Sequence, residues 1–366
     1  MMRSKPPFRA DQVGSLLRSD AVKAARSGRE AGDIDAAALK AVEDAEIENL
    51  IAKQQSIGLK AVTDGEYRRA WWHYDFLGGL DGVTYGAVDA ALQFAGTTTK
   101  AEGVAVTGKL GFSDHPMLGH FAFVNGHTDA VAKMTIPSPS VLHFRADAAG
   151  RKEIYPDDDE FFADLGQAYA DAVNGFYAAG CRYLQFDDTV WAYLCSDAEL
   201  EKARTRGIET VGLQKKYAAT LNAALAAKPD DMTITMHVCR GNFKSTWISE
   251  GGYEPVAETI LGGLDFDGYF LEYDTNRAGG FEPLRFLPKG EKIVVLGLFT
   301  SKFADLEDKD AIKTRIDEAS QYIDPDQLCL SPQCGFASTE EGNILTEDEQ
   351  WAKLAHIVAI ADEVWV

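Results

Sequence analysis

The chain has 366 residues, 46% of them hydrophobic and 25% charged, which is typical of a globular protein. Its formal net charge of −21 argues against a nucleic acid or an anionic membrane as a partner, because both bind basic surfaces. No run approaches the roughly 20 apolar residues of a membrane helix, and residues 1–15 lack the apolar core of a secretory signal. Five irregularly spaced cysteines do not resemble a disulfide framework, so we expect a cytoplasmic protein with free thiols.

Short β-rich runs alternate with longer amphipathic runs along the chain. The predicted strands are 10–15, 60–66, 132–137, 182–187, 232–238, 268–273, 292–298 and 327–331. The predicted helices are 34–56, 160–179, 210–227, 255–264, 310–322 and 347–364. Several of the strands are continuous apolar runs, which is typical of parallel strands covered on both faces.

Eight strands alternating with helices predict one (β/α)8 TIM barrel over residues 1–366, and a doubly wound open sheet would give a similar pattern. Residues 77–126 interrupt the alternation with Gly, Thr and aromatic residues. We interpret this stretch as an inserted hairpin or lid after the second strand. Because the active site of a TIM barrel lies at the C-terminal ends of its strands, these ends are where functional residues are expected.

Metal-capable side chains stand at three of these strand ends. Residues i and i+2 of a strand point to the same side, so His237 and Cys239 after the fifth strand can converge on one ion. Glu272 ends the sixth strand, and Cys334 follows the eighth. One histidine, two cysteines and a carboxylate form a tetrahedral set that suits zinc. The alternatives are a hydrogen-bonded core histidine with two buried cysteines, or a purely structural zinc.

Several short segments resemble the catalytic barrel of cobalamin-independent methionine synthase, in particular its single-barrel homocysteine methyltransferase relatives. They are QVGS at 12–15, TDGE at 63–66, QFD at 185–187, HVCRGN at 237–242, LEYD at 271–274 and SPQCG at 331–335. The resemblance covers most of the chain, and the metal-ligand pattern is its most specific part. It implies that zinc is held by His237, Cys239, Glu272 and Cys334.

The resemblance also implies a binding site for the amino-acid part of a homocysteine-like thiol, formed by Val13, Gly14, Ser15, Glu66 and Asp187. Of these, Glu66 and Asp187 also belong to the implied catalytic residues. Their carboxylates can accept hydrogen bonds from an ammonium, while Ser15 and the backbone near Gly14 can donate to a carboxylate. The alternative for Glu66 is a solvated turn residue or an ion pair with Arg68 or Arg69.

The chain departs from the full-length synthases in two respects. Those synthases carry two barrels, whereas this chain has room for one. Their catalytic histidine after the seventh strand has no counterpart, because Phe299 and Thr300 stand there. The proton donor and the methyl donor, folate or another molecule, are therefore left open. Residues 71–74, with the sequence WWHY, could wall a pocket for a flat donor or simply pack the barrel mouth.

The expected reaction is the transfer of a methyl group to the thiol of homocysteine or a close analogue, giving methionine or a thioether. A zinc-coordinated thiol loses its proton near neutral pH and can attack an electrophilic carbon. The nearest alternative is another zinc thiol alkyltransferase, for example one that uses coenzyme M and an epoxide. Metal-assisted hydrolysis and a zinc-stabilised binding protein are further alternatives, and the sequence allows a homo-oligomer.

Overall fold

The computed structural model describes residues 3–88 and 91–365. The strands are β1 (Ala61–Val62), β2 (Asp81–Ala87), β3 (Gln93–Phe94), β4 (Thr97–Thr98), β5 (Glu102–Gly111), β6 (Val131–Pro137), β7 (Tyr183–Asp188), β8 (Thr233–Val238), β9 (Gly268–Glu272), β10 (Ile293–Phe299) and β11 (Leu328–Pro332). Seven of them, β1 and β6 to β11, form one parallel sheet in chain order. The protein therefore has an α/β fold built on a parallel sheet.

Helices precede, connect and follow these strands. They are α1 (Asp20–Ala31), α2 (Ala36–Ser56), α3 (Tyr74–Leu77), α4 (Pro116–Gly126), α5 (Pro139–Arg145), α6 (Ala148–Ile154), α7 (Asp158–Ala178), α8 (Val190–Tyr193), α9 (Asp197–Thr205), α10 (Leu213–Leu225), α11 (Glu254–Ala257), α12 (Lys309–Ala319) and α13 (Glu347–Val364). A π-helical turn, Glu258–Gly262, continues α11. No helix in the described part of the chain is long and apolar enough to cross a membrane.

The core lies between the sheet and its helices. All seven residues of β10 are buried, as the continuous apolar sequence predicts for a strand covered on both faces. Helix α7 buries Phe161, Leu165, Tyr169 and Val173, which recur at helical spacing along one face. Tyr169 packs edge-on against Phe186 of β7, with ring centroids 5.6 Å apart.

The expected first strand at 10–15 is wrong, because this segment forms only one parallel bridge, between Ala10 and Leu330 of β11. The same segment nevertheless reaches the other edge of the sheet, where Thr63 donates its hydroxyl to the carbonyl of Gly14 over 2.7 Å. A sheet whose two edges are joined by one short segment is curled, as in barrel-like folds. The second expected strand is also shorter than predicted.

Residues 77–126 contain two antiparallel strand pairs followed by α4. Strand β2 pairs with β5, and the short β3 pairs with β4. The β3–β4 hairpin lies against the loop after β8, since the amide of Ala95 donates to the carbonyl of Trp247 over 3.0 Å. That this stretch is an insertion acting as a lid stays a prediction.

Candidate metal and thiol site

The structure brings His237, Cys239, Glu272 and Cys334 together. One ligand atom from each of these four buried side chains lies within 4.8 Å of all the others. His237 is in β8, Cys239 follows it, Glu272 ends β9 and Cys334 follows β11. Parallel strands of one sheet thus deliver side chains that are distant in sequence to the same end of the sheet.

Backbone contacts fix these side chains. The amide of Cys239 donates to the carbonyl of Asp188 over 2.7 Å, and the amide of Arg240 donates to Oε1 of Glu272 over 3.1 Å. Nδ1 of His237 lies 3.3 Å from the carbonyl of Phe270, so Nδ1 carries the proton and Nε2 is left as an acceptor. A metal-ligating histidine usually uses its second nitrogen in this way.

The four residues fit a zinc ion. Within the described ranges, Nε2 of His237 and Oε2 of Glu272 are buried without a hydrogen-bond partner. Buried polar atoms normally have partners, and these two acceptors lie beside two sulfur atoms, an arrangement that a bound cation would satisfy. The sulfur atoms of Cys239 and Cys334 lie 3.5 Å apart. This nitrogen, oxygen and sulfur set is one that zinc accepts in tetrahedral geometry.

The electrostatics of the four side chains are coupled. Contact with Cys239 lowers the pKa of the Cys334 thiol well below its usual range, and contact with Cys334 raises that of Cys239. Burial raises the pKa of Glu272 to about 7, partly opposed by the positive charge of Lys302. Lys302 follows β10, is 1% exposed, and its Nζ has no hydrogen-bond partner in the described chain. Sequence reasoning missed this cation, since only the fold brings it near the cluster.

A pocket connects this cluster to the expected thiol-binding residues. Its walls include Val13, Ser15, Glu66 and Asp187 together with His237, Cys239 and Cys334. Gly14 lies against the same wall, because a Cβ built on it would stand 2.6 Å from Oε1 of Glu66. Glu272, the fourth member of the cluster, does not line the pocket.

The two carboxylates of this pocket are held by polar partners. Glu66 forms an ion pair with Arg69 and accepts from the hydroxyl of Thr135 over 2.9 Å. Its φ of 61° lies in the left-handed region, which costs a non-glycine residue energy and is common at functional sites. Gln185 donates to Asp187 over 2.7 Å, and burial raises the pKa of Asp187 to about 6.

Three further polar residues near strand ends, Asp188, Asp274 and Thr300, lie outside the pocket. Asp188 accepts from the amides of Val190 and Trp191, and therefore caps the short helix α8. Asp274 lies 3.7 Å from Arg277 in an ion pair. The backbone of Thr300 donates to Glu307. Neither aspartate nor Thr300 is among the pocket residues.

The aromatic segment after β1 forms one wall of the pocket. Trp71, Trp72 and His73 line it, while Tyr74 stacks behind His73 with a centroid separation of 3.8 Å. Arg145 and Tyr193 complete this side, and sequence reasoning missed both. In the sequence, the only feature that marks Arg145 and Tyr193 is their position a few residues after a predicted strand.

Comparisons with known proteins identify the family to which the chain belongs. The model of the "Cobalamin-independent synthase, Catalytic domain" family matches residues 8–363. The uncharacterized protein YxjG of Bacillus subtilis (strain 168) is 53% identical over 367 residues, covering 100% of this chain and 97% of that protein. A 5-methyltetrahydropteroyltriglutamate–homocysteine methyltransferase of Streptococcus mutans is 22% identical over 357 residues, covering 96% of this chain and 43% of that enzyme.

A solved structure from Listeria monocytogenes, assigned as a vitamin-B12-independent methionine synthase, superposes with a TM-score of 0.80. It is 42% identical in sequence, and the match covers 100% of both chains. The family match spans nearly the whole chain and includes every strand end that carries a metal-capable residue. The chain therefore belongs to the family of the cobalamin-independent synthase catalytic domain.

Proposed function

We propose that this protein is a zinc-dependent S-methyltransferase that acts on the thiol of homocysteine or a close analogue. The observation that carries the proposal is the convergence of His237, Cys239, Glu272 and Cys334 within 4.8 Å, with three of them lining a pocket. We further propose that residues 1–366 form one catalytic unit of TIM-barrel type, with residues 77–126 as an insertion over the site.

The metal shell suits thiol alkylation better than hydrolysis. Hydrolytic zinc sites mostly use histidine and carboxylate ligands, whereas two thiolates here would supply negative charge to the metal. Zinc bound by these residues would lower the pKa of an incoming thiol and so provide a nucleophile at neutral pH. Three of the four ligands line the pocket, so a substrate sulfur can reach the cluster on that side.

The remaining pocket residues would hold the amino-acid part of the substrate. Glu66 and Asp187 would accept hydrogen bonds from its ammonium group, and both are nearly buried, where charge-assisted hydrogen bonds are strong. Ser15 and the backbone near Gly14 would donate to its carboxylate. Two carboxylates in the pocket favour an aminothiol over a purely anionic thiol such as coenzyme M.

The proposal is tested by the metal content and by the response of the metal to thiol. We expect about one zinc per chain in the wild type and loss of zinc in Cys239→Ser, because one of four ligands is removed. Cys181→Ser is the matched control, since Cys181 is equally buried but lies outside the cluster. In the cobalt-substituted protein, homocysteine should add a sulfur-to-metal charge-transfer band.

A wild type that holds no zinc would refute the metal-dependent function. Zinc that is retained in Cys239→Ser, or cobalt spectra that do not change with homocysteine, would refute the assignment of the cluster as the thiol-activating centre. Removal of cobalt with a chelator should abolish the spectral response while leaving the core helices folded, because the large hydrophobic core contains none of the four ligands.

A further inference from the structure

The aromatic wall of the pocket carries a cation without a negative partner. Arg145, the last residue of α5, is half-buried, and its Nη2 donates to the hydroxyl of Tyr193 over 2.8 Å. Its Nε is buried without a hydrogen-bond partner. No ion pair involves Arg145 in residues 3–88 and 91–365. Guanidinium groups removed from water are normally paired with an anion, so Arg145 lacks an expected partner.

A second unpartnered group stands beside it. His73 is 1% exposed and lines the same pocket, yet neither of its ring nitrogens has a hydrogen-bond partner in the described chain. Its ring stacks between Trp72, at 4.5 Å and nearly parallel, and Tyr74, at 3.8 Å. This stacking fixes the ring plane, so the imidazole N–H is aimed without loss of side-chain freedom on binding.

Burial and the charge of Arg145 keep the pKa of His73 well below its usual range. His73 is therefore neutral at pH 7 and offers a hydrogen bond instead of a proton. A neutral N–H next to a guanidinium is a pair of donors that suits an oxyanion. The other arginine that lines the pocket, Arg69, is already paired with Glu66, so Arg145 is the one left to bind an anion there.

The position of Arg145 indicates which substrate carries the oxyanion. Arg145 and Tyr193, with Leu92 and Ile248, line both the pocket of the metal cluster and an outer cleft. Arg145 therefore lies at the boundary between the pocket and the cleft. The proposed aminothiol site, with Glu66 and Asp187, lines the inner pocket only. A second substrate that reached the pocket from the side of the cleft would pass Arg145.

We propose that Arg145 and His73 form an anion subsite that binds a carboxylate or phosphate group of the methyl donor. The subsite orients the donor so that its methyl group faces the metal cluster. In the transfer, the bond from the methyl carbon to the donor breaks as a bond to the substrate sulfur forms, and the electron pair stays with the donor. This inference rests on the proposed transferase function, because it assigns the second substrate of that reaction.

The test uses acetate and inorganic phosphate as probes of the full-length protein. Spectra of protein labelled with 15N-histidine report on seven histidines, and His73→Gln identifies the signal of His73. We expect either anion to shift this signal saturably. We expect Arg145→Met to weaken that binding at least about tenfold and Arg145→Lys to retain most of it. The preferred anion distinguishes a carboxylate from a phosphate donor.

Arg151→Met is the control, because Arg151 is also buried but is paired with Asp158 at 2.7 Å and lies outside the pocket. Its anion binding should equal that of the wild type. Absence of a saturable shift, or equal shifts in Arg145→Met and the wild type, would overturn the subsite.

The assignment to the donor has its own test. If saturating homocysteine or coenzyme M displaces acetate and phosphate, the subsite belongs to the thiol substrate and the assignment is wrong. Simultaneous binding supports it. The response of the cobalt-substituted Arg145→Met protein to homocysteine should be that of the wild type. A failed subsite can thus be told apart from a failed thiol site.

Discussion

Gly14 offers a direct test of the aminothiol site. Its φ is +155°, and a Cβ at this position would lie 2.6 Å from Oε1 of Glu66 and 2.7 Å from Cγ2 of Thr135. Ordinary contact begins at 3.4 Å, so the Glu66 carboxylate must retreat by about 0.8 Å in Gly14→Ala. Loss of a hydrogen bond to a charged group costs about 1.5–3 kcal/mol, which is on the order of 10- to 100-fold in binding. We expect homocysteine binding to weaken by a similar factor.

The assay is a homocysteine titration of the cobalt-substituted protein, followed at the metal. Gly32→Ala is the control, because Gly32 also has a positive φ, +81°, but no heavy atom lies within 4 Å of the position that an added Cβ would take. It carries a backbone cost of about 1 kcal/mol without any displacement at the site. Homocysteine binding by Gly14→Ala within threefold of the wild type would refute the role of Glu66 as an ammonium anchor.

Two further predictions concern stability. Lys133→Met should destabilise the protein by about 3–5 kcal/mol in urea unfolding, because it leaves Asp11, its fully buried partner at 3.3 Å, without its counter-charge. Adding Asp11→Asn should recover part of this loss. If the free-energy losses of the two single variants simply add in the double variant, the pairing is contradicted. Burial lowers the pKa of His143 to about 3, so the unfolded state binds the extra proton below pH 6.5 and stability falls as the pH decreases. Between pH 7.5 and 5.5, this residue should account for a loss of about 1.4 kcal/mol in the free energy of unfolding, and His143→Phe should remove that loss. If the pH dependence of stability is the same in His143→Phe as in the wild type, His143 does not titrate on unfolding.

Local sequence patterns predicted the central strands and the long helices well. The predicted helix 347–364 coincides with α13, and the strands from β6 onward begin and end within one or two residues of prediction. Short continuous apolar runs bounded by turn residues are typical of buried strands, so the pattern predicts these elements directly. The segment 10–15 was mispredicted because its composition resembles that of a strand. Gly14 has a positive φ, which a regular strand does not contain, so the segment does not continue as a strand.

The metal ligands were predictable because each stands at a predicted strand end, where barrel geometry gathers side chains from separate strands. His237 and Cys239 are in addition two residues apart, so strand geometry alone brings them together. Arg145 and Lys302 carry no such pattern, and the sequence left open whether His73 lines a pocket or packs the barrel mouth. Their importance follows from burial and from missing partners, and both depend on how distant helices and loops pack.

The contacts of the N-terminal segment have a consequence for the order of assembly. Ala10 bridges Leu330, the amide of Phe336 donates to the carbonyl of Ser15, and the amide of Leu17 donates to Gln350. All these partners are synthesised more than 300 residues later, and Cys334 is made among them. During translation, these contacts of the first segment therefore cannot form until more than 300 further residues have been made. We expect zinc to be acquired only after Cys334 has left the ribosome, when the same late segment completes both the wall of the pocket and the set of ligands.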